Sequence, residues 1–115
     1  MHKFFRSCRH AIRGIFYALR EERNFHIELA LAFTVAFLAW YFPLSGSERA
    51  ILVIICGLVL SLELVNTSIE RMLDMMKPRV HPYVRVIKDL VAGAVLIGSL
   101  TALLVGALIF FPYFF

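Results

Sequence analysis

The chain alternates between long apolar stretches and short charged ones. Residues 29–42 (LALAFTVAFLAWYF) carry no charge, and the run reaches Leu44 past a proline. Residues 50–62 are also charge-free, and the helix they predict continues through SLELVNTSIERMLD. Residues 90–111 form 22 consecutive positions without a charge. A helix needs about 20 mostly apolar residues to cross a bilayer, so the third run qualifies alone. The first two qualify with their polar-flanked ends dipping into the interface. Three such runs cannot close a barrel, which leaves helices as the spanning structure. The pattern predicts an all-α membrane protein with three transmembrane helices.

Ahead of the first run, Phe5, Cys8, Ile12, Ile15, Phe16 and Leu19 recur at helical spacing. Arg6, Arg9, Arg13 and Arg20 fall mostly on another face. That is the pattern of an N-terminal amphipathic helix lying in the membrane surface. The apolar run starts too late for an ordinary signal sequence, and two further spans follow it. Breaks are visible at Pro43-Leu-Ser-Gly46, an expected external turn, and at KPRVHP, where Pro82 suits the first position of a helix. The expected organisation is one integral membrane domain, 1–115. It has a surface helix over 1–24 and helices over about 27–45, 49–76 and 82–111.

Charge adds an orientation. Of 12 Lys and Arg, six precede the first run, namely Lys3, Arg6, Arg9, Arg13, Arg20 and Arg23. Five lie between the second and third runs (Arg71, Lys77, Arg79, Arg85, Lys88), and Arg49 alone lies between the first two. The positive-inside rule places the N-terminus and the second connection in the cytoplasm and the C-terminus outside. This asymmetry accounts for the net charge of +4, so no nucleic-acid partner is expected. It suits anionic lipid or a polyanionic ligand such as a nucleotide. Cys8 and Cys56 are poorly placed to pair, which fits a reducing compartment. The four His lack metalloprotease spacing. GAVLIGSL, 93–100, lacks the lysine of a phosphate loop and lies inside a transmembrane run. Ala94, Gly98, Ala102 and Gly106 recur every four residues, so the third span is a contact helix in a compact bundle or oligomer.

One feature of the second run is out of keeping with lipid. At 100° per residue, Glu63, Asn66, Glu70 and Asp74 share an arc of roughly 80°. If the span enters near Ala50, Glu63 lies about 20 Å down a core roughly 30 Å thick, and Glu70 lies near the cytoplasmic boundary. Ionisable groups that deep cost about 2.5–3.5 kcal/mol each and read as functional by default. Simpler accounts exist singly: Asp74 as a solvated helix end paired to Arg71 or Lys77, Glu63 as a neutral or hydrogen-bonded carboxyl, Asn66 as interhelical glue. Together, on one face, they are harder to dismiss. Glu21, Glu22, Glu28 and Asp89 converge on the same level, with arginines and lysines close by. The set suits phosphoryl transfer. Mg²⁺ keeps waters and substrate phosphates, so one or two protein carboxylates suffice. Cations position the phosphates, and a further carboxylate takes the proton of an attacking hydroxyl. The alternative is a non-catalytic oligomer, an ion-conducting bundle or an assembly factor. An ion path should carry acids through the midplane, and these cluster at one side.

The twelve residues ELVNTSIERMLD, 63–74, fit the pattern E-x-x-N-[ST]-[SA]-I-E-x-x-x-D. The chain thereby resembles the prokaryotic diacylglycerol kinase and undecaprenol kinase family. ERNF at 22–25 and Lys88-Asp89 followed by AGAV extend the likeness over nearly the whole chain. The resemblance implies a small lipid kinase of the bacterial inner membrane, a homotrimer that uses ATP with Mg²⁺ at cytoplasmic sites between subunits. It implies Glu63 as the general base, Asn66 as an orienting residue and Asp74 as a supporting one. It implies Glu22 and Glu70 as Mg²⁺ ligands, Lys88 and Asp89 as the nucleotide-contacting pair, and His81 as a further nucleotide contact. Lys3 and His10 fall near family nucleotide contacts, but no motif fixes them. ERNF, the His-Pro before Lys88, and Ala92 resemble the undecaprenol branch, so undecaprenol is the expected substrate. Glu28 agrees with the diacylglycerol branch, which keeps diacylglycerol as the alternative.

Overall fold

The computed structural model describes residues 1–76 and 82–115. Their regular structure is helical: α1 His2–Glu21, α2 Arg23–Tyr41, α3 Gly46–Asp74 and α4 Pro82–Phe114. The last three are long and apolar enough to cross a membrane. The protein is an all-α membrane protein with an amphipathic N-terminal helix. On α1, Phe4, Phe5, Ile12, Ile15 and Phe16 are exposed, so no other described residue covers this apolar face, which suits a helix lying in a bilayer surface.

A single extended residue, Glu22 (φ −116°, ψ 112°), separates α1 from α2. The chain turns its corner on an acid, and Ala18 and Phe25 are buried on either side of it. At the far end α2 stops at Tyr41, short of the expected 45. Phe42 precedes Pro43 and is pushed into extended backbone (φ −85°, ψ 149°), as the proline ring demands. Arg49 closes this end by donating from Nε to the Ala39 carbonyl at 3.1 Å and from a terminal nitrogen to the Phe42 carbonyl at 3.3 Å. The lone cation of this connection therefore satisfies carbonyls that a helix end leaves unpaired.

Helix α3 begins at Gly46, earlier than the charge-free run suggests, because Ser45 and Glu48 form a capping box. The Glu48 N–H donates to Ser45 Oγ at 3.1 Å and the Ser45 N–H to Glu48 Oε1 at 2.9 Å. Helix α4 runs antiparallel along α3. Leu52 shares a cluster with Ile109 and Phe110, Leu62 meets Gly98, and Asp74 pairs with Lys88. Gly98 permits this approach, because a Cβ there would stand 2.7 Å from Leu62 Cδ1. Among the described residues nothing stands within 4 Å of where a Gly106 Cβ would sit, and Ala94 is exposed, so the small-residue stripe is open at those two positions while Ala102 is half-buried. The apolar core sits at the end away from Asp74, where Leu44, Leu52, Ile109 and Phe110 are packed round by Phe42, Val105 and Tyr113.

Candidate active site

Helix α3 has 29 residues and is about 43 Å long, well over a hydrocarbon core of about 30 Å. Glu63 lies seventeen residues after Gly46, about 26 Å along the axis. For a span entering between Gly46 and Ala50, Glu63 falls about 20–26 Å down the core, with Glu70 and Asp74 at or beyond its far boundary. Glu63 is 2% exposed and Thr67, one turn on, is 6% exposed. Glu22 and Glu70 lie within electrostatic reach of Glu63, and Glu63 within reach of Glu28. Among the described residues no Lys, Arg or His forms an ion pair with Glu63. Asn66 donates from Nδ2 to Glu70 Oε1 at 3.3 Å. Asn66 Oδ1 and Glu28 Oε2 are buried without a hydrogen-bond partner among the described residues. The result is a cluster of carboxylate and amide oxygens with no cation paired to Glu63 among the described residues.

Cations border this cluster. Arg71 reaches Glu22 Oε1 at 2.8 Å, and its guanidinium stands 5.8 Å from the centre of the Tyr17 ring. One side chain thus joins α3 to α1 and to the corner acid. Lys88 pairs with Asp74 at 2.9 Å, tying α4 to the end of α3. Both pairs are partly exposed, and such pairs are worth about 0–1 kcal/mol, so they orient more than they stabilise. Asp89 is exposed at the start of α4 and makes no hydrogen bond or ion pair with the described residues. His81 lies outside the described residues. The chain thus brings Glu22, Glu28, Glu63, Asn66 and Glu70 together, sets Asp74 and Lys88 beside each other, and leaves Asp89 apart.

A family model for prokaryotic diacylglycerol kinase matches residues 9–110. The chain belongs to that family. Over 112 residues it is 38% identical to the undecaprenol kinase of Bacillus subtilis strain 168, covering 97% of this chain and 91% of that one. It is 34% identical to a diacylglycerol kinase of Synechocystis sp. over 92% of this chain and 61% of the relative. A Helicobacter pylori diacylglycerol kinase is 31% identical over 84% of this chain and 75% of its own length. The protein is a membrane lipid kinase.

In this kinase a groove of about 870 Å³ opens between α1 and α3. Ala11, Gly14 and Ala18 form one wall, and Thr67, Arg71 and Asp74 the other. The sequence singles out the acids of α3, passes over Thr67 and Tyr17, and offers Arg71 only as one of two cations, with Lys77, that could pair with Asp74. A signal exists: Thr67 and Arg71 follow Glu63 at four and eight residues, on the strip of helix beside the acids. What the sequence cannot supply is the partner across helices: Arg71 forms an ion pair with Glu22, 49 positions away, and Lys77 lies outside the described residues.

Proposed function

We propose that the kinase transfers the γ-phosphoryl group of Mg²⁺-bound ATP to the hydroxyl of undecaprenol, giving undecaprenyl phosphate. The observation that carries this reading is Glu63: a carboxylate 2% exposed, near the acids Glu22, Glu28 and Glu70, and without a cationic partner among the described residues. Such a group is costly unless a metal or a proton arrives. In the proposed reaction Glu63 takes the proton of the lipid hydroxyl. The freed oxygen forms a bond to the γ-phosphorus, and the bond from that phosphorus to the β-phosphate bridging oxygen breaks, releasing ADP.

The donor set fits Mg²⁺. It is all oxygen, and the orphaned Asn66 Oδ1 and Glu28 Oε2 are acceptors that a hydrated cation would satisfy through its waters. Among the described residues no three His, Cys, Asp or Glu converge into a cage, and Mg²⁺ does not need one when phosphates and waters complete its shell. Glu22 and Glu70 would hold it. Bound there, it would neutralise phosphate charge and fix the triphosphate for in-line attack. Asn66 orients Glu70, Arg71 fixes the second oxygen carrier, Glu22, and Asp74 holds the Lys88 ammonium where a phosphate can meet it. Asp89 and His81 are proposed as nucleotide contacts, as the family resemblance implies.

Undecaprenol is favoured by the 38% identity to an undecaprenol kinase along nearly the full length of both chains. Diacylglycerol is the second reading, supported by the diacylglycerol kinases at 34% and 31% identity and by Glu28, the acid shared with that branch. A homotrimer is supported by the open small-residue face of α4 around Ala94 and Gly106. The charge asymmetry supports a cytoplasmic N-terminus and active site in the bacterial inner membrane. The test is purified kinase in micelles with γ-labelled ATP, Mg²⁺ and equal mole fractions of either lipid. Label should enter undecaprenol preferentially. Preference for diacylglycerol reverses the substrate assignment, and no label in either lipid ends the reading.

A further inference from the structure

Hydroxyls inside helices ordinarily bond back to the carbonyl four residues earlier. Three do so here, Thr34 to Ala30 at 2.9 Å, Ser68 to Leu64 at 2.9 Å and Thr101 to Ile97 at 2.8 Å. All three are exposed. Thr67 behaves differently. Its residue is 6% exposed, its Oγ1 has no hydrogen-bond partner among the described residues, and it lines the groove between α1 and α3. Native proteins rarely bury a hydroxyl and leave it unpaired unless something else supplies the bond. Opposite it, Ala11, Gly14 and Ala18 leave room between the larger Ile15 and Tyr17, with nothing within 4 Å of where a Gly14 Cβ would stand.

The order of groove residues along α3 names the missing partner. Leu64 comes first, then Thr67 and Ser68, whose hydroxyl is already spent on the Leu64 carbonyl, then Arg71, then Asp74 with its Lys88 ammonium and Met75. Going outward from the bilayer, this runs apolar, hydroxyl, cation, ion pair. A lipid alcohol about to be phosphorylated presents the same order: hydrocarbon, hydroxyl, then the incoming phosphates. We infer that Thr67 is the specificity-determining contact for the acceptor, its Oγ1 hydrogen-bonding the lipid hydroxyl while the hydrocarbon lies past Leu64 and the small residues of α1. The bond holds the acceptor oxygen one helical turn from Glu63, the carboxylate that takes its proton. This inference rests on the proposed lipid-phosphorylating reaction and adds the residue that finds the hydroxyl. A site built around a hydroxyl discriminates strongly against molecules lacking it, which an apolar groove alone cannot do.

The test compares wild type with Thr67→Val and Thr67→Ser in micelles, varying lipid and ATP separately and recording thermal unfolding. Thr67→Val keeps the shape and removes the hydroxyl. It should lower kcat/KM for the lipid by about tenfold, the worth of one buried hydrogen bond, while the KM for ATP stays within about twofold. Thr67→Ser should recover most of the loss. Because the hydroxyl has no partner among the described residues, Thr67→Val should unfold no earlier than wild type. Unchanged lipid kinetics in Thr67→Val, a loss confined to the KM for ATP, or early unfolding with no rescue by Ser overturns the inference and leaves the proposed reaction standing. Wild type that labels no lipid overturns the reaction, and the inference falls with it.

Discussion

Replacing Glu63 by Gln keeps the volume and removes the charge and the proton-accepting capacity. General-base catalysis contributes about 10²–10⁴-fold, or roughly 2.7–5.4 kcal/mol of barrier. The surroundings put this kinase toward the upper part of that range. At 2% exposure Glu63 touches little bulk water that could act as substitute base, and Glu22 and Glu70 are proposed to be occupied with metal. The same substitution should not harm the fold. Glu63 forms no ion pair among the described residues and lies near Glu22, Glu28 and Glu70, so neutralising it removes repulsion. The expected phenotype is a variant that runs at the wild-type size on gel filtration and unfolds at an equal or higher temperature. Its turnover at saturating ATP and lipid should fall by about a thousandfold or more. Turnover above about a tenth of wild type would refute the argument, since a difference of one decade is less than a general base supplies. Loss of the oligomer together with activity would refute it differently, by assigning Glu63 to assembly.

Three further outcomes follow from the same geometry. Glu70→Gln should raise the Mg²⁺ concentration for half-maximal rate by about tenfold, equivalent to about 1.4 kcal/mol, with the lipid KM unaltered; a metal titration decides it. Ser45→Ala removes one half of the capping box on α3 and should cost about 1 kcal/mol, read as a lower unfolding temperature with turnover kept at permissive temperature. Gly98→Ala asks only that the flexible end of Leu62 move, whereas Gly98→Leu must push α4 from α3. The larger variant should lose about 1–3 kcal/mol of stability, and activity with it, because Glu63 follows Leu62 directly.

The spans and the surface helix were legible because each is written in periodicity and charge, which a single sequence displays. The ends of helices were less so. The early start of α3 depends on Ser45 and Glu48 exchanging backbone bonds, a capping signal that the apolar run beside it obscured. The end of α2 depends on Pro43 acting backward on Phe42. In the site, the acidic stripe was readable because all four of its members ride one helix. Pairings across helices were not: nothing in sequence spacing connects Arg71 to Glu22 or Lys88 to Asp74. Thr67 is the instructive omission. A threonine in a helix looks ordinary, and only the unused Oγ1 beside a groove distinguishes it from Thr34 and Thr101.

The two ends of the bundle divide the work. At the capped end, Leu44, Leu52, Ile109 and Phe110 pack with a ring of aromatics, Arg49 holds the last carbonyls of α2, and the capping box fixes the start of α3. At the other end two partly exposed ion pairs link the helices, and several buried oxygens have no partner among the described residues. Local contacts of that kind cannot hold a reacting geometry to within an ångström. A continuous helix can. Glu63, Thr67, Glu70 and Asp74 share the unbroken backbone of α3, so their spacing is set by helix pitch and anchored from the core, whose Leu52 lies about 16 Å along the same helix from Glu63. The site can then leave its oxygens unpaired for lipid, nucleotide and metal without losing its shape, because the rigidity it needs is supplied elsewhere on the same helix.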